Sequence, residues 1–205
     1  MDIIQKSKNN QRRIGLPGGI ASGKPTITNY IRKHKNIPIL DADHFSRELI
    51  KPNTYGYKKI LDYFGNRIID KKNNSKKEIN RKLLRKIIFK NSENKEWIEK
   101  LLHPLIKERM IEECRKLRNN QTIVLVIPLL FEAKFEDICT EIWLVKCPKE
   151  IQKKRLIARD KISEKEAYES INLQLSFEEK RKFSDIILDN SDNQNKWIQT
   201  ISELL

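Results

Sequence analysis

The chain has 205 residues, which is enough for one α/β domain with small insertions and too short for two large domains. It carries 42 Lys and Arg against 28 Asp and Glu, and the net charge of +14 favours polyanionic partners such as nucleic acid, anionic membrane or phosphorylated small molecules. A Lys-rich composition spread over a solvated surface explains this charge equally well. No apolar stretch approaches the ~20 residues of a membrane span, and the N-terminus lacks the apolar run of a signal peptide. We therefore expect a cytoplasmic protein.

Short apolar runs alternate with amphipathic stretches in the first part of the chain. Residues 1–12 are polar and basic, which predicts a flexible extension before a single domain over residues 13–205. The elements that follow are predicted to be a strand at 13–16, a loop at 17–24, a helix at 26–35, a strand at 37–40 and a helix over 45–50.

The middle of the chain, from residue 52 to about residue 116, has a mostly helical pattern. Helices are predicted around 57–64, 83–88 and 97–114, with Gly65 as a C-cap and a polar loop at 70–77. Pro104 falls inside the last of these helices, and we expect it to kink or split that helix.

The last part of the chain returns to alternating strands and helices. Strands are predicted at 122–127, 142–145 and 186–188, a helix from Pro148 to about Arg159, a second helix opened by the capping box Ser163-Glu166, and a final helix around 197–204. Strands that alternate with helices indicate a mostly parallel sheet with helices on both faces. The long helical stretch is then an insertion after the second strand.

The cysteines and histidines show no spacing typical of a metal site or a disulfide framework. The three cysteines are an odd number in a chain too large to need disulfides, so we predict reduced thiols that pack as small core residues: Cys114, Cys139 and Cys147.

Residues 18–24 read Gly-Gly-Ile-Ala-Ser-Gly-Lys, which is most of the phosphate-loop pattern Gly-x-x-x-x-Gly-Lys-[Ser/Thr]. The glycines let backbone N–H groups point into one concavity that holds phosphate oxygens, and the lysine reaches the outer phosphates as a point charge. A strand precedes the loop and a helix follows it, as this chemistry requires. The pattern predicts a nucleotide-phosphate site formed by Gly18, Gly19, Ile20, Ala21, Ser22, Gly23, Lys24, Pro25 and Thr26.

Two further features are candidates for chemistry, and each has a structural alternative. Asp43 follows a predicted strand at the edge where open α/β sheets bind ligands, so it can act as a base, but it also suits the N-cap of the helix that begins near His44. Arg155 and Arg159 are four residues apart on one helix, which suits a phosphoryl clamp and equally a solvated face.

The segment Pro128-Leu129-Leu130-Phe131-Glu132 is unusually apolar for a loop at the ligand edge. It either lines a pocket for a flat or apolar group or belongs to the core.

Taken together, these segments resemble the dephospho-CoA kinase family, P-loop kinases of the nucleotide-kinase type, along nearly the whole chain from Ile14 onward. Besides the loop, the matching segments are Asp41-Ala42-Asp43, Arg47-Glu48-Leu49, Phe64-Gly65, His103-Pro104-Leu105-Ile106, residues 128–132, residues 155–160, Gln174, Lys180-Arg181 and Asp189-Asn190.

The resemblance implies transfer of the γ-phosphoryl of ATP, with Mg²⁺, to the ribose 3′-hydroxyl of dephospho-CoA, giving CoA and ADP in the last step of CoA biosynthesis. It implies a P-loop three-layer α/β/α fold with a parallel five-stranded sheet, a helical CoA-side insertion at about 55–116 and a lid at about 150–175. The expected partner is this small-molecule substrate, with no nucleic acid and no membrane, and the expected state is a monomer or weak oligomer.

The resemblance also implies roles for individual residues. Asp43 would orient or deprotonate the hydroxyl, while Lys24 and Arg155 would stabilise charge on the transferring phosphoryl group. Arg159 and Asn190 would join the nucleotide side. The acceptor side would be formed by Asp43, Arg47, His103, Lys107, Leu129 and Phe131.

The chain departs from the family pattern at a few positions. The family normally has Ser at the position of Pro25, and that hydroxyl ligates Mg²⁺, so one metal contact and one backbone donor are lost together. Thr is usual at the position of Pro17, an acidic residue is common at the position of Val126, and Arg is more frequent than Lys at position 107. We therefore predict no certain protein ligand for the metal and a reduced Mg²⁺-dependent turnover.

These departures leave a second reading open, in which the chain is a divergent paralogue that binds nucleotide or CoA precursors with weak or no transfer. The presence of Lys24, Asp43, Arg155 and Arg159 together favours the enzyme. A basic nucleic-acid-binding module is a third reading, but no aromatic-and-basic stacking motif or recognition helix supports it.

Overall fold

The structure is a computed structural model that describes residues 11–70, 77–191 and 194–205. Most of the predicted N-terminal extension and most of the predicted loop at 70–77 lie outside the described residues. The described chain forms two compact units: the first contains the residues up to Asp41 together with Glu113–Leu205, and the second is Ala42–Glu112.

The first unit contains a parallel five-stranded sheet, as the sequence pattern and the family resemblance predicted. In chain order its strands are β1 (Arg12–Leu16), β2 (Ile39–Asp41), β3 (Thr122–Val126), β4 (Glu141–Lys146) and β5 (Ile186–Asp189). Their spatial order is β2-β3-β1-β4-β5, so β1 lies at the centre between β3 and β4. The loop that follows β1 therefore starts at the middle of the carboxyl edge, where ligands of such sheets bind.

The helices of the first unit flank this sheet and carry the predicted amphipathic faces. They are α1 (Lys24–Lys35), α6 (Lys149–Asp160), α7 (Glu164–Asn172), α8 (Phe177–Arg181) and α9 (Gln194–Leu204). Buried side chains from the strands, α1 and α9 form one core: Ile14, Leu16, Ile27, Ile31, Val124, Val126, Trp143, Val145, Leu188, Trp197 and Ile201. The β-branched and apolar runs predicted as strands are buried here because helices cover both faces.

The second unit is helical, with α2 (Ala42–Leu49), α3 (Tyr55–Phe64) and α4 (Arg81–Lys90), and most of α5 (Ser92–Lys116) also belongs to it. Its core is separate: Ile50, Tyr57, Ile60, Phe64, Ile68, Ile79, Leu84 and Ile98. Gly65 ends α3 as predicted, with its N–H donating to the carbonyl of Leu61. None of the described helices is both long and apolar enough to cross a lipid bilayer.

Two local predictions need correction, and one short helix was not predicted. The helix α5 runs unbroken from Ser92 to Lys116, so Pro104 does not split it. Proline removes only one backbone N–H donor, and the turns on either side keep their own hydrogen bonds. Pro148 precedes α6 as its N-cap instead of lying in the first turn. The short helix α8 was not predicted, although Ser176 and Glu179 form a capping box as Ser163 and Glu166 do.

The cysteine prediction is confirmed: all three cysteines are free thiols, with Cys114 and Cys147 buried and Cys139 half-buried. Burial raises the pKa of Cys114 to about 11 and the pKa of Cys139 to about 12. Neither thiol is therefore a nucleophile at neutral pH.

Candidate functional site

The phosphate loop connects β1 to α1 and encloses the ammonium group of Lys24. Lys24 Nζ donates to the carbonyl oxygens of Gly18 at 2.6 Å and Gly19 at 3.0 Å, and the residue is only 8% exposed. Gly23 is the N-cap of α1 with φ of 92°, and Ala21 also has a positive φ of 57°. Such left-handed residues turn neighbouring backbone N–H groups towards one side, which is the geometry of an anion-binding nest.

Glycine is required at position 23 for a second reason. A Cβ atom there would lie 2.0 Å from Asn190 Nδ2 and 3.3 Å from Arg155 Nη1. Among the described residues, no side chain hydrogen-bonds the N terminus of α1, and its first turn contains no acidic residue. The positive end of the helix dipole is therefore not offset by a side-chain carboxylate, and it suits a phosphate.

Asn190 supports the loop from the β5 side. Its Nδ2 donates to the carbonyl oxygen of Ser22 at 2.8 Å, and its Oδ1 accepts a hydrogen bond from Trp197 Nε1 at 3.1 Å. Asn190 is 6% exposed. Both polar atoms of the Asn190 side chain, which was predicted to lie on the nucleotide side, are thus engaged: Nδ2 bonds the loop, and Oδ1 is bonded by Trp197.

Two glutamines contact the loop, and the sequence alone suggested a role for neither. Gln174 Oε1 accepts a hydrogen bond from the backbone N–H of Ile20 at 2.8 Å. Gln152 donates to the carbonyl of Cys147 and packs so closely that a Cβ at Gly19 would lie 2.3 Å from its Oε1. The only signal for Gln174 was its presence among the matching segments, and Gln152 gave none.

The two arginines of α6 differ in their surroundings. Arg155 Nη1 lies 3.5 Å from Cys147 Sγ and is close to Gly23, so its guanidinium reaches the loop. Arg159 forms a bidentate salt bridge with its neighbour Asp160, from Nε to Oδ1 at 2.7 Å and from Nη2 to Oδ2 at 2.9 Å, and its side chain is largely exposed. The structure therefore places the Arg155 guanidinium close to the phosphate loop, while Arg159 pairs with Asp160.

Pro25 and Thr26 occupy the start of α1 and are both exposed. The N–H of Thr26 donates to the carbonyl of Gly23 at 3.0 Å. Pro25 has no hydroxyl and Val126 at the end of β3 is apolar, so neither side chain offers an oxygen ligand to a metal ion. In the part of the chain that the structure describes, no group of three or more His, Cys, Asp or Glu side chains could hold a metal ion.

The segment after β3 contributes both apolar and charged groups. Phe131 is buried and Leu129 half-buried, and the Phe131 ring lies 6.2 Å from the ring of the exposed Phe183. Glu132 pairs with Lys180 at 2.9 Å, and Lys180 is only 2% exposed.

Two of the predicted acceptor residues of the second unit, Asp43 and Arg47, lie near arginines that the sequence did not single out. Asp43 is exposed and lies in the first turn of α2, which begins at Ala42, so Asp43 is not the helix N-cap. Partial burial lowers the pKa of Arg81, and so does the neighbouring guanidinium of Arg47, while the Asp43 carboxylate opposes the shift. Arg85 lowers it further. This mutual repulsion marks a place that favours an added anion.

His103 and Lys107 are four residues apart on α5, so they lie on one side of that helix. Burial, the largest cause, lowers the pKa of His103. The imidazole is therefore neutral at neutral pH, when it can both donate and accept a hydrogen bond.

Comparison with known proteins identifies the family. A dephospho-CoA kinase family model matches residues 12–196. A dephospho-CoA kinase from Prochlorococcus marinus (strain MIT 9312) is 85% identical over 205 residues, and one from Prochlorococcus marinus subsp. pastoris (strain CCMP1986 / NIES-2087 / MED4) is 62% identical, each match covering 100% of both chains.

Solved structures agree with this assignment. A dephospho-CoA kinase from Campylobacter jejuni is 28% identical, with a TM-score of 0.67 over 94% of this chain and 96% of that chain. A shikimate kinase from Acinetobacter baumannii, 14% identical with a TM-score of 0.53 over 97% of this chain and 95% of that one, supports the P-loop kinase fold alone. The chain thus belongs to the dephospho-CoA kinase family.

Proposed function

We propose that this chain transfers the γ-phosphoryl group of ATP to the ribose 3′-hydroxyl of dephospho-CoA, and that the loop around Lys24 holds the donor. The observation that carries this proposal is the buried ammonium of Lys24, with the carbonyl oxygens of Gly18 and Gly19 as partners. A P-loop lysine reaches the outer phosphates as a point charge, so an ammonium held at this place in the loop suits a triphosphate.

On the donor side, the loop residues 18–26 other than Pro25 supply backbone N–H groups, and Lys24 and Arg155 supply positive charge. Charge in the transition state of phosphoryl transfer is spread over the equatorial oxygens of the transferred group. Fixed cations beside those oxygens stabilise the transition state without further reorganisation. Asn190 keeps the loop in shape through Ser22, and Arg159 joins the nucleotide from the lid.

On the acceptor side, Asp43 accepts the proton of the ribose 3′-hydroxyl. The hydroxyl oxygen attacks the γ-phosphorus, the bond to the bridging oxygen breaks, and ADP leaves with the electron pair. An exposed carboxylate in the first turn of α2 suits this role because it is accessible to the substrate.

The diphosphate of dephospho-CoA is the anion that suits the guanidinium of Arg47 together with that of Arg81. Each repels the other in the protein alone, and a bound diphosphate would relieve this repulsion. His103, Lys107, Leu129 and Phe131 would contact the rest of the acceptor.

ATP is a substrate of this family, and we propose that Mg²⁺ enters bound to its phosphates. When bound, the ion would neutralise charge on the β- and γ-phosphate oxygens. We assign it no protein ligand, because Pro25 and Val126 offer none.

The experiment is a coupled assay of ADP release with and without dephospho-CoA, on the wild type and the variant Lys24→Met. We expect release that depends on the acceptor, and its loss in Lys24→Met. Lys33→Met, an exposed lysine of the same helix, is the matched control and should leave activity unchanged. Tight binding of nucleotide or acceptor without ADP release would instead favour the hypothesis of a divergent paralogue that binds these molecules without transfer.

A further inference from the structure

We propose that Gln174 is a positioning residue for the phosphate loop, and that the buried ion pair of Glu132 with Lys180 holds Gln174 in place. The inference rests on the proposed nucleotide role of that loop. None of these three residues received a function above, although all three belong to the segments that match the family.

An open cavity of about 370 Å³ beside the loop is lined by Gly19, Gln152, Gln174 and Lys180 among others. The N–H of Ile20 donates to Gln174 Oε1 at 2.8 Å, which links this side of the loop to the segment that follows α7. We infer that this bond fixes the middle of the loop.

Gln174 is in turn anchored by its neighbour in sequence. The N–H of Leu175 donates to Glu132 Oε1 at 3.1 Å, and the same oxygen lies 2.9 Å from Lys180 Nζ. Glu132 follows β3 closely, so this contact ties the segment between α7 and α8 to the central sheet. The Glu132 carboxylate therefore holds the backbone next to Gln174.

The ion pair is costly to disturb. Lys180 is 2% exposed, and a buried charge that loses its partner destabilises its surroundings strongly. Glu132 Oε2 and Lys180 Nζ are both buried, and among the described residues neither makes a hydrogen bond, so the close approach of the two charges is their main compensation. Each group thus holds the other in place.

Local hydrogen bonds join the stretch from Gln174 to Lys180. Ser176 and Glu179 form the capping box of α8, and the N–H of Lys180 donates to the carbonyl of Ser176. The preceding helix α7 packs Ala167 and Ile171 in the cluster that also contacts Ile20 and Ala21 of the loop. A change in the Glu132–Lys180 pair is thereby transmitted to the phosphate loop.

The test compares Gln174→Met, which removes the acceptor, with Gln174→Glu, which keeps an acceptor oxygen. The readouts are the Kd for ADP by calorimetry and the hydrogen exchange rate of the Ile20 amide by NMR in the nucleotide-free protein. Loss of one hydrogen bond predicts a Kd about tenfold higher for Gln174→Met and a similar acceleration of Ile20 exchange. Gln174→Glu should restore slow exchange, which purely structural damage would not predict.

The role of the Glu132–Lys180 ion pair is tested with Lys180→Met, Glu132→Gln and the double variant. The double variant leaves no unpaired buried charge, so the protein stays testable if a single variant unfolds. Each folded variant should raise the KM for ATP while leaving the KM for dephospho-CoA unchanged. In a double-mutant cycle, combining it with Gln174→Met should raise the KM for ATP little beyond the effect of Gln174→Met alone. Lys149→Met, an exposed lysine that lines the same cavity, is the control.

Two results separate the inference from the proposed function. If Lys24→Met abolishes ADP binding but folded Gln174→Met keeps its Kd within twofold and its Ile20 exchange unchanged, the positioning role is wrong and the nucleotide site stands. If Lys24→Met binds ADP as tightly as the wild type, the nucleotide site itself is wrong.

Discussion

Replacing Pro25 by serine restores at once a backbone N–H and a hydroxyl at the start of α1. The structure shows that proline is tolerated there without disruption: α1 begins at Lys24, and Pro25 is exposed within its first turn, where the missing N–H has no partner inside the helix. Proline also biases the preceding residue away from helical geometry, yet Lys24 belongs to the helix. The cost of Pro25 therefore falls on ligand binding and not on folding.

The size of that cost follows from the lost contacts. A hydrogen bond to a charged group contributes about 1.5–3 kcal/mol, so restoring the N–H donor should improve nucleotide affinity or kcat/KM by about tenfold to a hundredfold. Removing proline frees the unfolded chain and should lower the free energy of unfolding by about 0.4–1 kcal/mol. Pro25→Ser is thus expected to be more active and slightly less stable.

Pro25→Ala separates the two restored groups, because alanine returns the N–H without the hydroxyl. ADP release with dephospho-CoA should be measured at a series of Mg²⁺ concentrations, alongside urea unfolding. If both variants gain affinity but only Pro25→Ser needs less Mg²⁺ for half-maximal rate, the hydroxyl acts on the metal. Unchanged kcat and unchanged nucleotide affinity in Pro25→Ser would refute the reasoning.

Three further predictions concern other parts of the molecule. Asp43→Asn should lower kcat by about a hundredfold or more while the Kd for ATP stays constant, since only proton transfer is lost; equal losses in both would contradict a base. The lowered pKa of His103 means that the folded state binds fewer protons than the unfolded state near pH 6.5. The free energy of unfolding, measured by urea titration, should therefore fall as pH drops from 7.5 to 5.5. It should fall less in His103→Gln. A pKa of about 12 against 9.0 makes the Cys139 thiolate about a thousandfold rarer, so iodoacetamide should label it slowly until guanidinium unfolds the protein; rapid labelling of the native thiol would contradict its burial.

The sequence predicted the sheet and the position of the loop between β1 and α1 well because both are encoded locally. The strand β3 is predicted from one continuous apolar run and the loop from closely spaced glycines, so both predictions need only neighbouring residues. The parallel direction of the strands follows from the alternation of strands and helices. The errors arose where context decides. Pro104 lies inside a long helix whose other bonds outweigh one missing N–H, and α8 is only five residues long, too short for a periodic signal.

The candidate site shows the same division between local and distant information. Lys24 could be assigned from its motif, but spacing alone treated Arg155 and Arg159 as equivalent, and only their packing distinguishes them: one lies beside the thiol of Cys147, the other pairs with the adjacent Asp160. Gln174 is a stronger case, because it reaches Ile20 across 154 positions of sequence and no local pattern reports such a contact. Residues that bind phosphate follow from motifs, whereas residues that hold those motifs in shape follow from the fold. A glutamine or lysine in a matching segment is therefore better interpreted first as support for its neighbours than as a ligand contact.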